Sequence, residues 1–383
     1  MSKWEKVRLG DVTTVVSGST PNTTVKEYWD GEFQWVTPAE IHDDTFVIYE
    51  TQRKITEKAI KDTNLKLLPK GTVLLTSRAP IGKVAIAGVD MYCNQGFKNL
   101  ICSDAIYNKF LFWFLKGKTA YLNSLGRGAT FKEISKSIVE NIIIPLPPLE
   151  IQKQIVYTLD TVAELHSLQK QQLAELNNLI KSIFYNMFGN PIVRGNKWEY
   201  RALGDIATVV SGSTPNTSVA EYWDGDLPWL TPAEISDDSF YVYKTKRYIT
   251  HYAVQSTGIK PFPKHTVILS SRAPIGKVAI AGVEMYCNQG FKNIICGDLL
   301  NPIFLYCTLK FNTDYLNSLG RGATFKEITK TIVENIRISV PPLELQNQFA
   351  NIVTKIEEQK AQVRKAIDET QTLFDSLMSQ YFD

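Results

Sequence analysis

Two stretches of this chain repeat apolar residues in a strict four-three alternation. The first runs Ile155, Leu159, Val162, His166, Gln169, Leu173, Leu176, Ile180, Ile183 and Met187, polar only at its two middle positions. The second runs Phe349, Val353, Ile356, Lys360, Val363, Ile367, Thr370, Phe374, Leu377 and Tyr381. Such steps keep successive side chains on one helical face, so the pattern predicts two long helices, each with a seam. Pro147-Pro148 and Pro341-Pro342 stand just ahead of the two stretches. Proline is accepted in the first turn of a helix and not in its interior, so each pair marks a helix start. Gly189-Asn190-Pro191 closes the first helix by glycine followed by proline. At 1.5 Å per residue each helix extends roughly 55 to 60 Å, too far for its own domain to cover. Either stripe alone reads as an ordinary core helix. Two matched stripes predict a coiled coil, and because one intervening domain must return the chain, the expected pair is antiparallel.

Between the stripes the pattern changes. Roughly the first 145 residues of each half carry short runs rich in Val, Ile, Tyr and Phe, such as Thr72–Leu75 and Lys83–Ala87, broken by Gly and Pro. That is the signature of a mostly-β globular domain with a few helices. The two halves are one pattern written twice. Displaced by 194 residues, the chain matches itself without a gap from Trp4 on Trp198 to Phe188 on Phe382. About two-thirds of positions are unchanged between Leu9–Asp104 and Leu203–Asp298, a period far too long for a solenoid repeat. The expected fold is α+β: two similar mostly-β domains joined by two long antiparallel coiled-coil helices, pseudo-two-fold symmetric. Its segments are a domain over 1–148, a helix over 149–190, a second domain over 191–342 and a second helix over 343–383.

Composition adds little. The 383 residues are 44% hydrophobic, enough for two cores, and the formal charge is +3. Setting aside 151–190, neutral overall, and 345–383, with four basic and six acidic residues, leaves +5 on the remainder, only a weak hint of a polyanionic partner. The N-terminal ten residues do not resemble a signal peptide and no apolar run approaches membrane-spanning length, so the expected location is the cytoplasm, with no membrane contact. Five cysteines, Cys93, Cys102, Cys287, Cys296 and Cys307, read as reduced thiols buried in strands. Zinc is disfavoured by the lack of CxxC and of neighbouring histidines.

Catalytic motifs are missing. The Gly82-Lys83 pair lacks the upstream glycine of a phosphate-binding loop, and no dinucleotide fingerprint, HExxH or GxSxG is present. The adjacent acids Asp43-Asp44 and Asp237-Asp238 read as solvated turn residues. Enzymatic activity within the chain is therefore not expected.

What the two halves share reads instead as a surface for binding. Ser17, Ser19 and Thr20 in SGSTP, with Ser211, Ser213 and Thr214, offer hydroxyls and backbone N–H groups in a tight turn suited to phosphate, although such a string is more often only a turn. Ser77, Arg78 and Lys83 in SRAPIGK, with Ser271, Arg272 and Lys277, put cations on a stiff loop. An arginine there can fork onto guanine or a phosphate, or simply make a surface salt bridge. Asn94, Gln95 and Lys98, with Asn288, Gln289 and Lys292, offer amides that pair with adenine; an amide-stabilised turn is at least as good a reading. Arg127 and Lys132 in GRGATFK, with Arg321 and Lys326, flank glycines that allow close backbone approach. Trp35, Thr37 and Glu40, with Trp229, Thr231 and Glu234, can supply an aromatic face, a methyl and an acceptor, a buried tryptophan being the commoner fate.

SGSTP, WxTPAE, SRAPIGK, NQGFKN, GRGATFKEI and above all IPLPPLEIQKQI followed by a long helix resemble the specificity subunit of type I restriction-modification systems. The resemblance spans essentially the whole chain in both halves. It implies that each globular part is a target recognition domain, that the helices are spacers, and that the chain reads double-stranded DNA at two half-sites without being an enzyme. It further implies assembly with two methyltransferase subunits. Whether restriction/translocase subunits join them is left open. S-adenosylmethionine and ATP with Mg would belong to those partners, leaving no cofactor in this chain. The implied DNA face comprises the SGSTP segments, Arg78 and Lys83, Arg272 and Lys277, and the NQG segments; the PPLE segments and helices would meet partners. The departures are small: SGSTP stands where SGGTP is common, and Ser339-Val340-Pro341-Pro342 where the first half has Pro145-Leu146-Pro147-Pro148. Two recognition domains this similar, in inverted orientation, predict a nearly palindromic bipartite target. Differences at His42/Ser236, Lys54/Tyr248, Glu57/His251 and Lys58/Tyr252 leave room for divergence in a base or two. Two other classes fit less well: a scaffold gripping two copies of a protein, and a duplicated enzyme. A neighbouring adenine methyltransferase gene would separate them from the first.

Overall fold

The computed structural model describes residues 4–128, 132–195, 197–272, 274–321 and 326–383. Parts of both GRGATFK segments, 129–131 and 322–325, therefore lie outside the described residues.

The first half contains strands β1 (Lys6–Arg8), β2 (Thr13–Ser17), β3 (Trp29–Val36), β4 (Val47–Ile48), β5 (Arg53–Ile55), β6 (Val73–Leu75), β7 (Val84–Ala87), β8 (Met91–Cys93), β9 (Lys98–Cys102) and β10 (Ile143–Pro145). Its helices are α1 (Leu9–Val12), α2 (Glu57–Thr63), α3 (Asn108–Gly117), α4 (Thr119–Ser124), α5 (Lys136–Glu140) and α6 (Leu149–Phe188). The runs read from sequence as strands at 72–75 and 83–87 are β6 and β7, within a residue. Strands β2, β9, β6, β7 and β4 form a five-stranded sheet in that order, antiparallel except for the β7–β4 pair. A separate smaller sheet is ordered β5, β3, β8, with β3 and β8 parallel.

Both faces of the larger sheet are covered, and the period-two alternation of side chains divides them. Val73, Leu75, Val84 and Ile86 point into a core with Phe110, Phe112 and Phe114 of α3; Leu74, Ala85 and Ala87 point into another with Val36, Met91 and Phe97. Helix α3 is buried without a break from Phe110 to Leu115, and its half-buried Lys109 and Lys116 reach Asp160 and Asp43 O from its two ends. The smaller sheet and α2 enclose a third cluster, Trp29, Trp35, Ile55, Ala59, Leu65 and Tyr92.

The second half repeats this plan with helices α7 (Leu203–Ile206), α8 (His251–Thr257), α9 (Pro302–Lys310), α10 (Thr313–Leu319), α11 (Lys330–Glu334) and α12 (Leu343–Phe382), and with sheets of the same strand order. Two of the expected strand cysteines, Cys93 and Cys287, are buried there with thiols pushed up to about 12 by burial. Cys307 is buried too, but inside helix α9 and not in a strand, while Cys102 and Cys296, at the ends of strands, are only half-buried.

The long helices begin where the prolines predict. Pro148 O accepts from Ile151 N at 2.8 Å and Gln152 N at 3.0 Å, so Pro148 caps the first turn of α6. Gln152 then locks the helix to its domain. Its buried amide donates to Pro147 O at 2.9 Å and Ala105 O at 3.0 Å, and its oxygen accepts from Tyr107 N at 2.8 Å. Gln346 does the same for α12 with Pro341, Leu299 and Asn301. At the far end of α6, Gly189 takes φ of 64° and donates to Tyr185 O at 2.9 Å, the left-handed glycine stop.

Two compact units result: Met1–Gln169 with Ala366–Asp383, and Lys170–Lys365. The division falls within both long helices. In the first unit the start of α6 (Ile155, Val156, Leu159) shares a core with the end of α12 (Phe374, Leu377, Phe382). In the second, the end of α6 (Ile180, Phe184, Phe188) shares one with the start of α12 (Phe349, Val353, Ile356). Start meets end in each unit, the pairing of helices that run in opposite directions. Every position of both seams is buried or half-buried, including Lys360, whose ammonium donates to Glu357 one turn earlier.

Candidate nucleic-acid interface

The shared segments are far apart in sequence, and backbone hydrogen bonds stitch them into one surface. The SGSTP turn leaves the end of β2 and docks on the end of β8, Ser19 N donating to Cys93 O at 2.9 Å and Thr20 Oγ1 to Gln95 Oε1. Gly18 is required here: a Cβ would stand 2.0 Å from Asn94 O and 2.3 Å from Cys93 Sγ. Asn94 Oδ1 accepts from Gly96 N at 2.9 Å, which closes the NQG turn on itself. Gly96 O in turn accepts from Ser77 N at 2.7 Å, and Ser77 O from Ile134 N at 3.0 Å. Reciprocal bonds between Arg127 and Glu133, 3.0 and 2.9 Å, join the described ends of the last segment. Thus SGSTP, NQG, SRAP and the described ends of the GRGATFKE segment adjoin in that order.

The second unit repeats the sequence of bonds: Ser213 N to Cys287 O at 2.8 Å, Gly290 N to Asn288 Oδ1 at 2.9 Å, Ser271 N to Gly290 O at 2.8 Å, and Ile328 N to Ser271 O at 2.9 Å. Arg321 and Glu327 bond reciprocally at 3.1 and 2.9 Å, and Thr214 donates to Gln289.

Outward on this surface stand Ser17, Ser19, Arg78, Gln95, Arg127 and Lys132, and Ser211, Ser213, Arg272, Gln289, Arg321 and Lys326. Others turn inward. Lys98 is buried, donating to Glu133 Oε1 at 2.9 Å and Ser77 Oγ at 3.4 Å; Lys292 reaches Glu327 at 3.3 Å and Ser271 Oγ at 3.2 Å. Ser77 and Ser271 are fully buried. Lys83 is half-buried with its ammonium on Ile41 O at 3.0 Å, and Lys277 is half-buried at the matching position.

Thr37 and Glu40 form a capping box on a short turn of helix. Glu40 Oε2 accepts from Thr37 N at 2.7 Å and Oγ1 at 2.8 Å, while Oε1 accepts from Gln52 N at 2.7 Å. Thr231 and Glu234 repeat the box, with Lys246 N as the third donor. Trp35 and Trp229 are each 3% exposed, their indole N–H groups donating to Ser19 O and Ser213 O at 3.2 and 3.0 Å. These side chains shape the SGSTP turn from beneath.

Sequence reasoning overlooked Glu133 and Glu327. Glu133 Oε2 accepts from Arg78 Nε at 2.9 Å while Oε1 holds Lys98, so one carboxylate fixes both cations. Burial works against its ionisation, but hydrogen bonds from Lys98 and Arg78 outweigh burial and hold the carboxyl below the ordinary range. Only Nε is engaged among the described residues, where the two terminal nitrogens of Arg78 make no hydrogen bond. Arg272 and Glu327 repeat the contact at 3.1 Å. The arrangement presents aimed guanidinium forks, hydroxyls and amides, a donor-rich face suited to phosphates and base edges.

Residues 1–178 and 195–370 both match the type I restriction modification DNA specificity domain. The chain belongs to this family. Two copies of that domain account for the duplication, and they make the chain a specificity subunit of a type I restriction-modification system, concerned with DNA target recognition and not with catalysis. The MjaIX specificity subunit of Methanocaldococcus jannaschii is 29% identical over 399 residues, covering 98% of this chain and 91% of that protein. The EcoR124I/EcoR124II specificity subunit of Escherichia coli is 26% identical over 238 residues, 58% of this chain and 57% of its own. Among solved structures, the type I S subunit from M. genitalium superposes with a TM-score of 0.62 at 15% identity, covering 100% of this chain and 96% of that one. A chain solved in work on assembly and conformational transition of the type I R-M system gives 0.64 at 22% identity, covering 99% and 97%. At those identities the likeness concerns the fold, and the α+β plan of two mostly-β domains and two long helices is common to them. Among the described residues, no helix of this specificity subunit is long and apolar enough to cross a membrane.

Proposed function

We propose that this specificity subunit directs a type I assembly to a bipartite duplex target, each recognition domain meeting one half-site, in the cytoplasm. The observation that carries the reading is the duplicated surface. The same four segments are stitched by the same bonds in both units, and the Arg78–Glu133 contact at 2.9 Å recurs as Arg272–Glu327 at 3.1 Å. Equal reading surfaces favour half-sites related as an inverted repeat, with divergence confined to bases near α2 and α8, where Glu57/His251 and Lys58/Tyr252 differ. Outward-facing residues would contact DNA directly, phosphates positioning the domains and a few side chains specifying bases. Two methyltransferase subunits would dock on the helices and PPLE segments, supplying S-adenosylmethionine chemistry on an adenine taken out of the stack. Restriction/translocase subunits, with ATP and Mg, would complete a cleaving assembly, and no cofactor is needed in this chain.

The test is to co-express the chain with its methyltransferase subunits and map methylated adenines by single-molecule sequencing. The expected result is a two-part motif whose halves are near inverted repeats; two unrelated halves overturn the palindromic reading. Arg78→Ala with Arg272→Ala should abolish specific binding, a loss of at least about 100-fold for two charge-assisted contacts, while assembly persists. Retained specific affinity would show that the reading surface lies elsewhere.

A further inference from the structure

A second arginine in each unit is held in a manner no sequence pattern announces. Arg53 lies on β5 with its guanidinium carbon 3.6 Å from the centroid of Trp29 and 5.5 Å from that of Trp35. Arg247 has the same distances to Trp223 and Trp229, 3.6 and 5.4 Å. The two indoles meet edge to face at 5.0 Å and 81° in both units, so the platform is identical. Each indole also grips one end of the SGSTPN turn. Trp29 Nε1 donates to Asn22 O at 3.3 Å and Trp35 Nε1 to Ser19 O at 3.2 Å, as Trp223 and Trp229 do to Asn216 and Ser213.

Both arginines are exposed, and among the described residues neither guanidinium makes a hydrogen bond or ion pair. In the adjoining turn, the backbone N–H groups of Thr20, Asn22 and Thr23 likewise have no partner among the described residues, and the Ser19 hydroxyl is exposed. A guanidinium laid flat on an indole keeps its planar fork while losing the rotational freedom of a long side chain. The groups gathered there chiefly donate: a guanidinium, three backbone N–H groups and a hydroxyl that can also accept. A donor-rich cluster around a planar fork fits an oxyanion with several lone pairs better than the mixed donor and acceptor edge of a base. The surroundings agree: Arg53 is unchanged in both copies between positions that differ, Gln52/Lys246 and Lys54/Tyr248, as expected of a contact indifferent to base identity.

We propose that Arg53 and Arg247, each stacked on its tryptophan pair, clamp one DNA backbone phosphate against the SGSTPN turn of their recognition domain. The inference rests on the reading that the chain binds duplex DNA.

It is tested on the full chain assembled with its methyltransferase subunits, using the mapped target duplex and a scrambled duplex over a salt series. Arg53→Ala with Arg247→Ala should weaken both duplexes by the same factor and lower the slope of log affinity against log salt by about 1.8, two phosphates at roughly 0.9 each. Arg53→Lys with Arg247→Lys keeps the charge and loses the fork; it should retain the slope and still lose several-fold affinity for both duplexes. The Lys pair decides alone if the Ala pair fails to fold. Unchanged affinity in the variants that fold overturns the proposal, as does a loss confined to the target duplex, the mark of a base contact. Were the wild-type assembly to show no affinity for duplex DNA, the broader reading would fall first, and that outcome is distinct from either.

Discussion

Glu133 holds Arg78 on one oxygen and buried Lys98 on the other, so its charge tethers its own stretch of chain to the body of the domain. Its carboxyl is held below the ordinary glutamate range, about 4.3, despite the opposing effect of burial. A depressed folded-state value means that the tether contributes fully above the ordinary value and is lost as pH falls through the folded one. Glu133→Gln should therefore be less stable than the wild type at neutral pH and should lose less on acidification. Denaturant unfolding between pH 7 and 3 measures the difference, and parallel curves for the two proteins would contradict it. At this scale the sequence was only partly legible. Arg78, Ser17 and Ser19 stand exposed where their motifs suggest, while the Thr20 hydroxyl is spent on Gln95. Lys98 gives no local sign that its ammonium is spent on a carboxylate 35 residues away. Thr37 and Glu40 did carry a sign: T-P-A-E has the spacing of a capping box with proline at its first position, a local interaction that outranks any external partner. The Trp29–Arg53 stack joins two strands and could be found only by knowing their pairing.

Short elements hold the reading surface together by close backbone approach, and glycine sets how close. Gly18 sits against Asn94 O and Cys93 Sγ with no room for a methyl group. Gly18→Ala should force the SGSTP turn off the NQG turn and destabilise the first unit by about 1–3 kcal/mol, the usual range for overpacking. Thermal unfolding checks it, and an unshifted transition would show that the turn relaxes freely. The long helices were the most legible elements because their pattern is local and repeated: every four-three position proves buried or half-buried, and helix starts and stops follow from proline and glycine. What the seam could not show is its partner at each level. Phe184 packs among Phe188, Phe304, Phe311 and Phe349, an aromatic cluster from three parts of the chain that periodicity alone does not bring together.

Across the molecule, duplication made the domain plan visible, whereas the compact units cut across it. The last residues of the chain complete the core of the first unit: Phe382 lies 5.2 Å from Phe110 and 5.7 Å from Phe114, and Phe374 lies 5.5 Å from Trp113. Removing residues 366–383 should accordingly unfold the N-terminal half preferentially, a loss of several kcal/mol given about 3–5 for each buried phenylalanine truncated. Hydrogen exchange would show residues 110–115 unprotected with the second unit intact; uniform loss in both would refute the assignment.

Phe188 stands to the second core as Phe382 stands to the first. Each copy thus lends its helix tip to its sibling and borrows one back. A single copy made on its own would be left with one tip unhoused and one socket vacant. Two such molecules have the complementary parts to fill each other's vacancy by mutual exchange.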